Sequence, residues 1–240
     1  MMASEVIWHD LECGAYRADL PLWRALAREH PGPILEVGAG TGRVSLDLAR
    51  LGYEVTALDR DADLLGELAA RAGGAKLETV LADARSFTLE RRFALCLVPM
   101  QVIQLLGAVA GRAEFLRCAR ACLKPGGVLA TALTEEIEAY EAVAGAPAPL
   151  PDMRELDGVV YASRPMAVRA QRESFVIERR REIVAADGAR QVEENRIALA
   201  RVTAAELEGE GRAAGFRLLP RARIAPTAEY VGSTVVMLSA

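Results

Sequence analysis

Ile34-Leu35-Glu36-Val37-Gly38-Ala39-Gly40-Thr41-Gly42-Arg43 is the stretch on which the fold turns. An apolar run of strand type ends in three glycines at alternate positions. A helical pattern follows at once, with Val44, Leu46, Leu48, Ala49 and Leu51 set among Arg43, Asp47 and Arg50. Strand, tight turn and helix form the opening unit of an α/β nucleotide-binding fold. Glycine permits positive φ and close approach of a ligand to the main chain. The free N–H groups of the helix that follows favour an anionic group.

The spacing discriminates between ligands. A dinucleotide loop reads G-x-G-x-x-G. Here the order is G-x-G-x-G, and Arg43 stands where the third glycine belongs. A pyrophosphate turn is disfavoured, and the G-x-x-x-x-G-K-[ST] phosphate loop is absent. Glu36, just before the loop, sits badly beside a pyrophosphate and suits a ligand with a cationic end, such as an amino acid ammonium.

Glu36-Val37-Gly38-Ala39-Gly40-Thr41-Gly42 resembles the first motif of class I, Rossmann-like S-adenosylmethionine (SAM)-dependent methyltransferases of small-molecule type. The resemblance covers roughly residues 16–133 and the C-terminal end, and is weak between about 147 and 202. It implies a doubly wound, seven-stranded, mostly parallel α/β sheet with SAM as cofactor.

The chain further along fits that pattern. A second strand over residues 54–58 ends at Asp59, where a carboxylate can accept both ribose hydroxyls of an adenosine. The competing reading of Asp59 is a helix cap. Arg60 follows, to edge the adenine or face solvent. A third strand over 77–81 leads into Asp83 and Ala84, which resemble the family's adenine clamp; the alternative is an Asp-initiated turn. A fourth strand over 93–98 runs into Pro99 and Gln101, beyond the carboxyl end of the strand, where ligands of such sheets bind. Gln101 and Gln104 are read there either as hydrogen-bonders to the acceptor or as solvent-facing residues. The Asn/Asp-Pro-Pro-Tyr/Phe motif of methyltransferases acting on nucleobase or amide nitrogens is missing. Leu123 to Gly127 (LKPGG) is expected to close a helix over 112–123 with a glycine turn before a fifth strand over 128–133.

Upstream, residues 1–19 carry Trp8, His9, Asp10, Glu12, Cys13, Tyr16 and Asp19. A helix over 20–29 follows, with Asp19 as a plausible cap. In the relatives a tyrosine of this leading segment touches the carboxylate of SAM, and Tyr16 is the match; it reads equally as an edge-packing aromatic. Downstream, a short helix is expected through Tyr140. Residues 157–202 show strand-like alternation, with strands around 159–164, 166–183 and 191–202 and Asp187-Gly188 as the clearest hairpin turn. This reads as an antiparallel insertion between strands five and six. Its charged residues suit a solvated face, a homodimer contact or an acceptor-binding lid. A capping box at Thr203 opens the next helix. Strand six then starts near Phe216, and strand seven, over 233–239, is expected to lie antiparallel between strands five and six.

The segments expected are therefore 1–30 as N-terminal cap and helix, 31–145 as the SAM-binding core, 152–202 as the insertion, and 203–240 completing the core sheet. Residues 144–151 (AGAPAPLP) read as a linker. The net charge of −4 argues against a nucleic-acid partner. The N-terminus lacks the pattern of a signal peptide, and the longest apolar stretch is broken by Pro99, Gln101 and Gln104, so a membrane partner is not expected. Cys13, Cys96, Cys118 and Cys122 fit neither a zinc nor a redox spacing and are read as reduced thiols of a cytoplasmic protein.

The function expected is methyl transfer from SAM to N or O of a small-molecule acceptor. The alternatives are a SAM-binding, non-catalytic partner subunit and an NAD-linked oxidoreductase. His9, Glu135 and Tyr140 are the candidates for a base. The cofactor set is Tyr16, Glu36, Gly38, Ala39, Gly40, Asp59, Arg60, Asp83, Ala84, Pro99 and Gln101.

Overall fold

The computed structural model describes residues 4–143 and 149–240. Most of the expected 144–151 linker lies outside them. The elements are α1 (Ser4–Cys13), α2 (Leu20–Glu29), β1 (Ile34–Val37), α3 (Ser45–Arg50), β2 (Val55–Asp59), α4 (Ala62–Arg71), β3 (Leu77–Leu81), β4 (Phe93–Val98), α5 (Val102–Leu105), α6 (Val109–Cys122), β5 (Leu123–Leu133), β6 (Tyr140–Glu141), β7 (Asp152–Leu156), β8 (Val159–Ala170), β9 (Ser174–Val184), β10 (Arg190–Ala200), α7 (Ala204–Ala213), β11 (Arg217–Ile224) and β12 (Ser233–Ser239). They fall into two compact units, residues 16–135 with 202–240, and residues 1–15 with 136–201.

The larger unit is built on a seven-stranded sheet in the order β11-β12-β5-β4-β1-β2-β3. β3, β2, β1, β4 and β5 run parallel, and β12 lies antiparallel between β5 and β11. The doubly wound expectation is met, including the inserted last strand. Continuous apolar runs are required because both sheet faces are covered. All four residues of β1 are buried. Leu35, Val37, Cys96 and Val98 pack on one face with Phe115, Leu116 and Leu207 from α6 and α7. Ile34, Leu95 and Leu97 pack on the other with Trp23, Leu26 and Leu48 from α2 and α3. Cys118 and Cys122 belong to the first of these cores, and none of the four cysteines is in a disulfide. Burial pushes the Cys122 thiol up to about 12, so it stays an inert apolar filler.

Two local expectations are corrected here. Residues 124–127 lie inside β5, which begins at Leu123 directly after α6. Gly126 donates its N–H to Ala240, and Ala240 donates to Gly127, so the terminal strand draws the glycines into the sheet. The ladder to β4 shifts register between Phe93 and Leu95 to accommodate them. Gln104 is not available to an acceptor. It is fully buried, its Nε2 donates to the Thr134 carbonyl (3.0 Å), and its Oε1 accepts the Thr134 N–H (2.9 Å).

The smaller unit is an antiparallel sheet of order β10-β9-β8-β6, with β7 also pairing with β8. The turn at 171–173 divides the expected strand over 166–183, and Tyr140 lies in β6 rather than in a helix. The β7–β8 turn is Asp157-Gly158, both at positive φ (51° and 79°), a second Asp-Gly hairpin signal that the chemistry of tight turns explains.

Helix α1 belongs to this unit, so the segment expected over 1–30 is divided between the two. Its Glu12 serves packing. Glu12 accepts from Arg181 Nε (2.8 Å) and Nη2 (3.0 Å) and from Ser163 Oγ (2.8 Å). The Arg181 guanidinium lies 5.2 Å from the Trp8 ring, and Trp8 meets Tyr161 edge-on at 5.6 Å.

Replacing Gln104 by Leu strands a buried N–H and a buried carbonyl of Thr134. The larger unit is expected to lose about 1–3 kcal/mol per stranded group, read as a lowered midpoint in urea denaturation.

Candidate active site

The glycine loop joins β1 to α3, and its conformation is set by neighbours. Gly38 has φ of 74°, and a Cβ there would lie 2.6 Å from Val102 Cγ2. Gly42 has φ of 89° and faces Leu68 in the same way. Gly38 and Ala39 both donate to the Leu58 carbonyl, at 2.8 and 3.1 Å. Gly40, at φ of 54°, donates its N–H to Asp59 Oδ2 at 2.8 Å. Asp59 Oδ1 accepts from Asp61 N–H at 3.1 Å. Asp59 is therefore fixed by two backbone amides, and each oxygen keeps acceptor capacity for a further donor. The helix-cap alternative falls to Asp61, whose side chain accepts from Asp63 and Leu64 at the start of α4. Arg60 is exposed beside this turn.

Beneath the loop lies a buried polar group that the sequence motif only partly signals. Glu36 is 3% exposed and accepts a short hydrogen bond from Ser45 Oγ. Burial pushes its carboxyl up to about 8, with Ser45 and Arg43 opposing the rise. Arg43 donates to Asp19 Oδ1 (2.5 Å) and Oδ2 (2.7 Å) and to the Tyr16 carbonyl (3.1 Å). Asp19, fully buried, also takes Trp23 Nε1–H at 2.8 Å and makes no side-chain cap to α2. The expected capping role is thus replaced by an ion pair. Tyr16 stacks against this group: the Arg43 guanidinium lies 5.1 Å from its ring and Tyr230 packs at 4.8 Å. Arg43 and Asp19 as partners, and Ser45 and Tyr230, were not selected by sequence reasoning. The one signal for the pair was Arg43 in a position where glycine is common.

Asp83 and Ala84 follow β3. Asp83 pairs with Arg85 through two contacts, Nε to Oδ1 at 2.9 Å and Nη2 to Oδ2 at 2.6 Å, and caps the Arg85 N–H at 2.8 Å. Those donors hold its carboxyl down at about 2. The turn reading and the ligand reading share this residue. Pro99 is buried and Gln101 half-buried, with Met100 between them at φ of 54°. A non-glycine residue held in the left-handed region costs of order 1–3 kcal/mol, and such strain collects at functional sites. Nothing in the sequence marked Met100.

Of the base candidates, Glu135 Oε1 accepts the Ala204 N–H at 2.9 Å, at the first turn of α7. That bond gives it a capping role. His9 on α1 and Tyr140 on β6 belong to the smaller unit.

The doubly wound sheet, with Glu36 next to last in β1 and the glycine loop after it, has the fold of Rossmann-like methyltransferases. Residues 34–127 match a family model described as a methyltransferase domain. Over 99 residues the chain is 33% identical to the ubiquinone biosynthesis O-methyltransferase of Caulobacter vibrioides. That match covers 40% of this chain and 38% of the relative, so the chain spans less than half the length of the curated protein it matches. The fold is similar to that of DesVI from Streptomyces venezuelae (TM-score 0.72, 18% identity, 98% of this chain and 99% of that one). It is similar also to SAM-bound CalS10, an amino pentose methyltransferase from Micromonospora echinaspora (TM-score 0.69, 21% identity, 96% of each chain). Among the described residues no helix is long and apolar enough to cross a membrane.

Glu36 yields a pH prediction. Its folded value of about 8 lies above the ordinary 4.5, so the folded chain holds a proton that the unfolded chain releases. Its contribution to stability is fully present below about pH 4.5 and is lost as pH rises through about 8. Thermal unfolding measured across that range should show the midpoint falling more steeply for the native chain than for Glu36→Gln.

Proposed function

We propose that the chain transfers a methyl group from SAM to a nitrogen or oxygen of a small-molecule acceptor. The observation that carries this reading is the Asp59–Gly40 lock, which holds an acidic acceptor against a glycine loop above a buried carboxyl. The donor set fits the cofactor. Asp59 offers lone pairs to ribose hydroxyls, Glu36 suits a cationic ammonium, and Asp83 with the Ala84 N–H suits an adenine edge. Tyr16, Gly38, Ala39, Arg60, Pro99 and Gln101 complete the proposed lining.

SAM supplies a sulfonium-bound methyl group and a thioether leaving group, so the protein's task is chiefly alignment. Holding two reactants in line is worth on the order of 7–11 kcal/mol. The strained Met100, between Pro99 and Gln101, fixes the backbone where the parallel strands end. Glu36 is protonated near neutrality, and a cationic group placed beside it favours its ionised form. Cofactor binding then releases a proton. Glu135, the one base candidate in the larger unit, already caps α7. The amino pentose specificity of CalS10 supports a sugar or sugar-like amine as the first acceptor class to test. Acceptor selection or self-association is assigned to the smaller unit, which lies outside the matched domain.

Calorimetry with SAM, S-adenosylhomocysteine and NADH tests the cofactor assignment. Binding of the two sulfur ligands without NADH is expected, with an enthalpy that varies with buffer ionisation near pH 7 because Glu36 gives up its proton. Binding of NADH alone refutes it. Asp59→Ala removes the ribose acceptor and should weaken SAM by about 1.5–3 kcal/mol, a charged hydrogen bond's worth. Gly40→Val, forced into positive φ, should abolish binding; a Gly40→Val protein with native affinity shows that the loop does not hold SAM.

A further inference from the structure

β10 forms one margin of the smaller sheet, and among the described residues no strand pairs with its outer edge. It runs eleven residues without proline or glycine, and its ladder to β9 is unbroken from Arg190 to Ala200. The other sheet margins are blunted. β3, β6 and β7 are short, at 5, 2 and 5 residues, and β11 carries Pro220 at a shift in register. Arg190 to Glu194, Arg196 and Ala198 are exposed, so the margin of β10 is open along most of its length. A long, regular, exposed edge is a template for a further strand, and natural proteins guard such an edge or cover it.

The charges of this strand tell which strand fits. Successive residues of β10 leave opposite faces, and Val192, Glu194, Arg196 and Ala198 share one of them. Glu194 has no ion pair among the described residues: Arg180, opposite it across the ladder, pairs with Glu182. Arg196 holds Glu178 at 3.2 Å through Nη2, and its side chain remains 66% exposed with donors to spare. An unpaired acid and an open base thus stand on one face, on either side of Asn195, the midpoint of β10.

A second copy of the same strand meets both. Two antiparallel strands related by a two-fold axis normal to the sheet have one residue opposite itself. With Asn195 as that residue the whole of β10 overlaps, and Glu194 of each copy falls opposite Arg196 of the other, on the same face. Val192 then meets Ala198 on either side of the ion pairs. Centring the axis on Glu193, Glu194 or Arg196 instead sets like charges directly against each other. Ile197 as centre leaves no ion pair, and Val192 as centre leaves only residues 190–194 overlapping. The charges therefore select one register over its neighbours. We propose that β10 pairs antiparallel with β10 of a second copy of this chain, about a two-fold axis at Asn195, so that the two smaller sheets join into one. Exposed ion pairs contribute little apiece, so the main-chain ladder supplies the affinity and the charges set the register. The pairing rests on the self-association assigned above to the smaller unit and requires no cofactor, so its failure and that of methyl transfer are read separately.

The test is sedimentation velocity on the full chain, from micromolar to near-millimolar concentration and without ligand. A reversible monomer–dimer equilibrium is expected. Glu194→Arg and Arg196→Glu, each checked for unchanged circular dichroism and thermal midpoint, should weaken the dimer roughly tenfold or more, because each sets like charges opposite one another twice across the axis. Mixing the two variants in equal amounts should restore association, since each Arg at the axis then faces a Glu. Asn195→Cys should give a disulfide-linked dimer on mild oxidation, whereas Glu194→Cys and the native chain should not. A residue opposite itself lies within the Cα reach of a disulfide, and one two places out of register does not. The two cysteine variants report the register even where a charge variant does not fold. The pairing is overturned if the native chain stays monomeric throughout, if the dimer survives Glu194→Arg unchanged, if the mixed folded variants do not associate, or if Asn195→Cys links no better than Glu194→Cys.

Discussion

One guanidinium ties the glycine-loop end of the larger unit together. Arg43, at the close of the glycine loop, is held bidentately by Asp19, and its side chain is only 8% exposed. Through Asp19 it reaches Trp23 on α2, and directly it reaches the Tyr16 carbonyl and ring. The loop, the helix behind it and the segment leading into that helix are thus fixed by one buried pair. A buried pair is expensive to form and more expensive to break, about 3–5 kcal/mol when one partner is removed. Its value is therefore geometric: it allows one arrangement of loop and helix. The same residue explains why the third glycine of a dinucleotide loop is absent, since no glycine can make this contact.

Glu36 depends on that arrangement. It lies on the same sheet face as Ile34, against Ser45, inside a core that would otherwise expel charge. Burial holds it protonated near neutrality, while Arg43 keeps ionisation within reach. In the proposed SAM site a carboxyl poised in this way would receive positive charge, whereas Asp59, fixed by two amides at the end of β2, would receive hydroxyls. The two acids differ in role because one is buried among apolar residues and the other stands at the rim.

The two units use arginine differently. In the larger unit Arg43 and Arg112 are buried and bind single carboxylates, Arg112 joining α6 to α7 through Glu210 at 2.6 Å. In the smaller unit Arg181 fastens α1 to its sheet, while most other arginines form exposed cross-strand pairs that are worth little individually. Arg179 departs from both patterns: its Nη1 is sequestered, and its ion-pair partner Asp152 lies 3.8 Å away.

The sequence by itself determined the doubly wound sheet, the place of its last strand and the position of the loop. Apolar runs covered on both faces, glycines at alternate positions and an acid at the end of the second strand are local signals, and they survive folding because backbone geometry and burial act on neighbouring residues. It placed Asp59 and Glu36 beside the loop for the same reason. Only the tertiary structure decided which polar side chains were already spent: Gln104 on Thr134, Glu135 on Ala204, Asp19 on Arg43, Glu12 on Arg181. It also moved residues 124–127 into a strand and joined α1 to the antiparallel unit. These outcomes rest on partners from 24 to 169 residues apart, and a sequence pattern carries no record of which distant group a buried hydrogen bond will find.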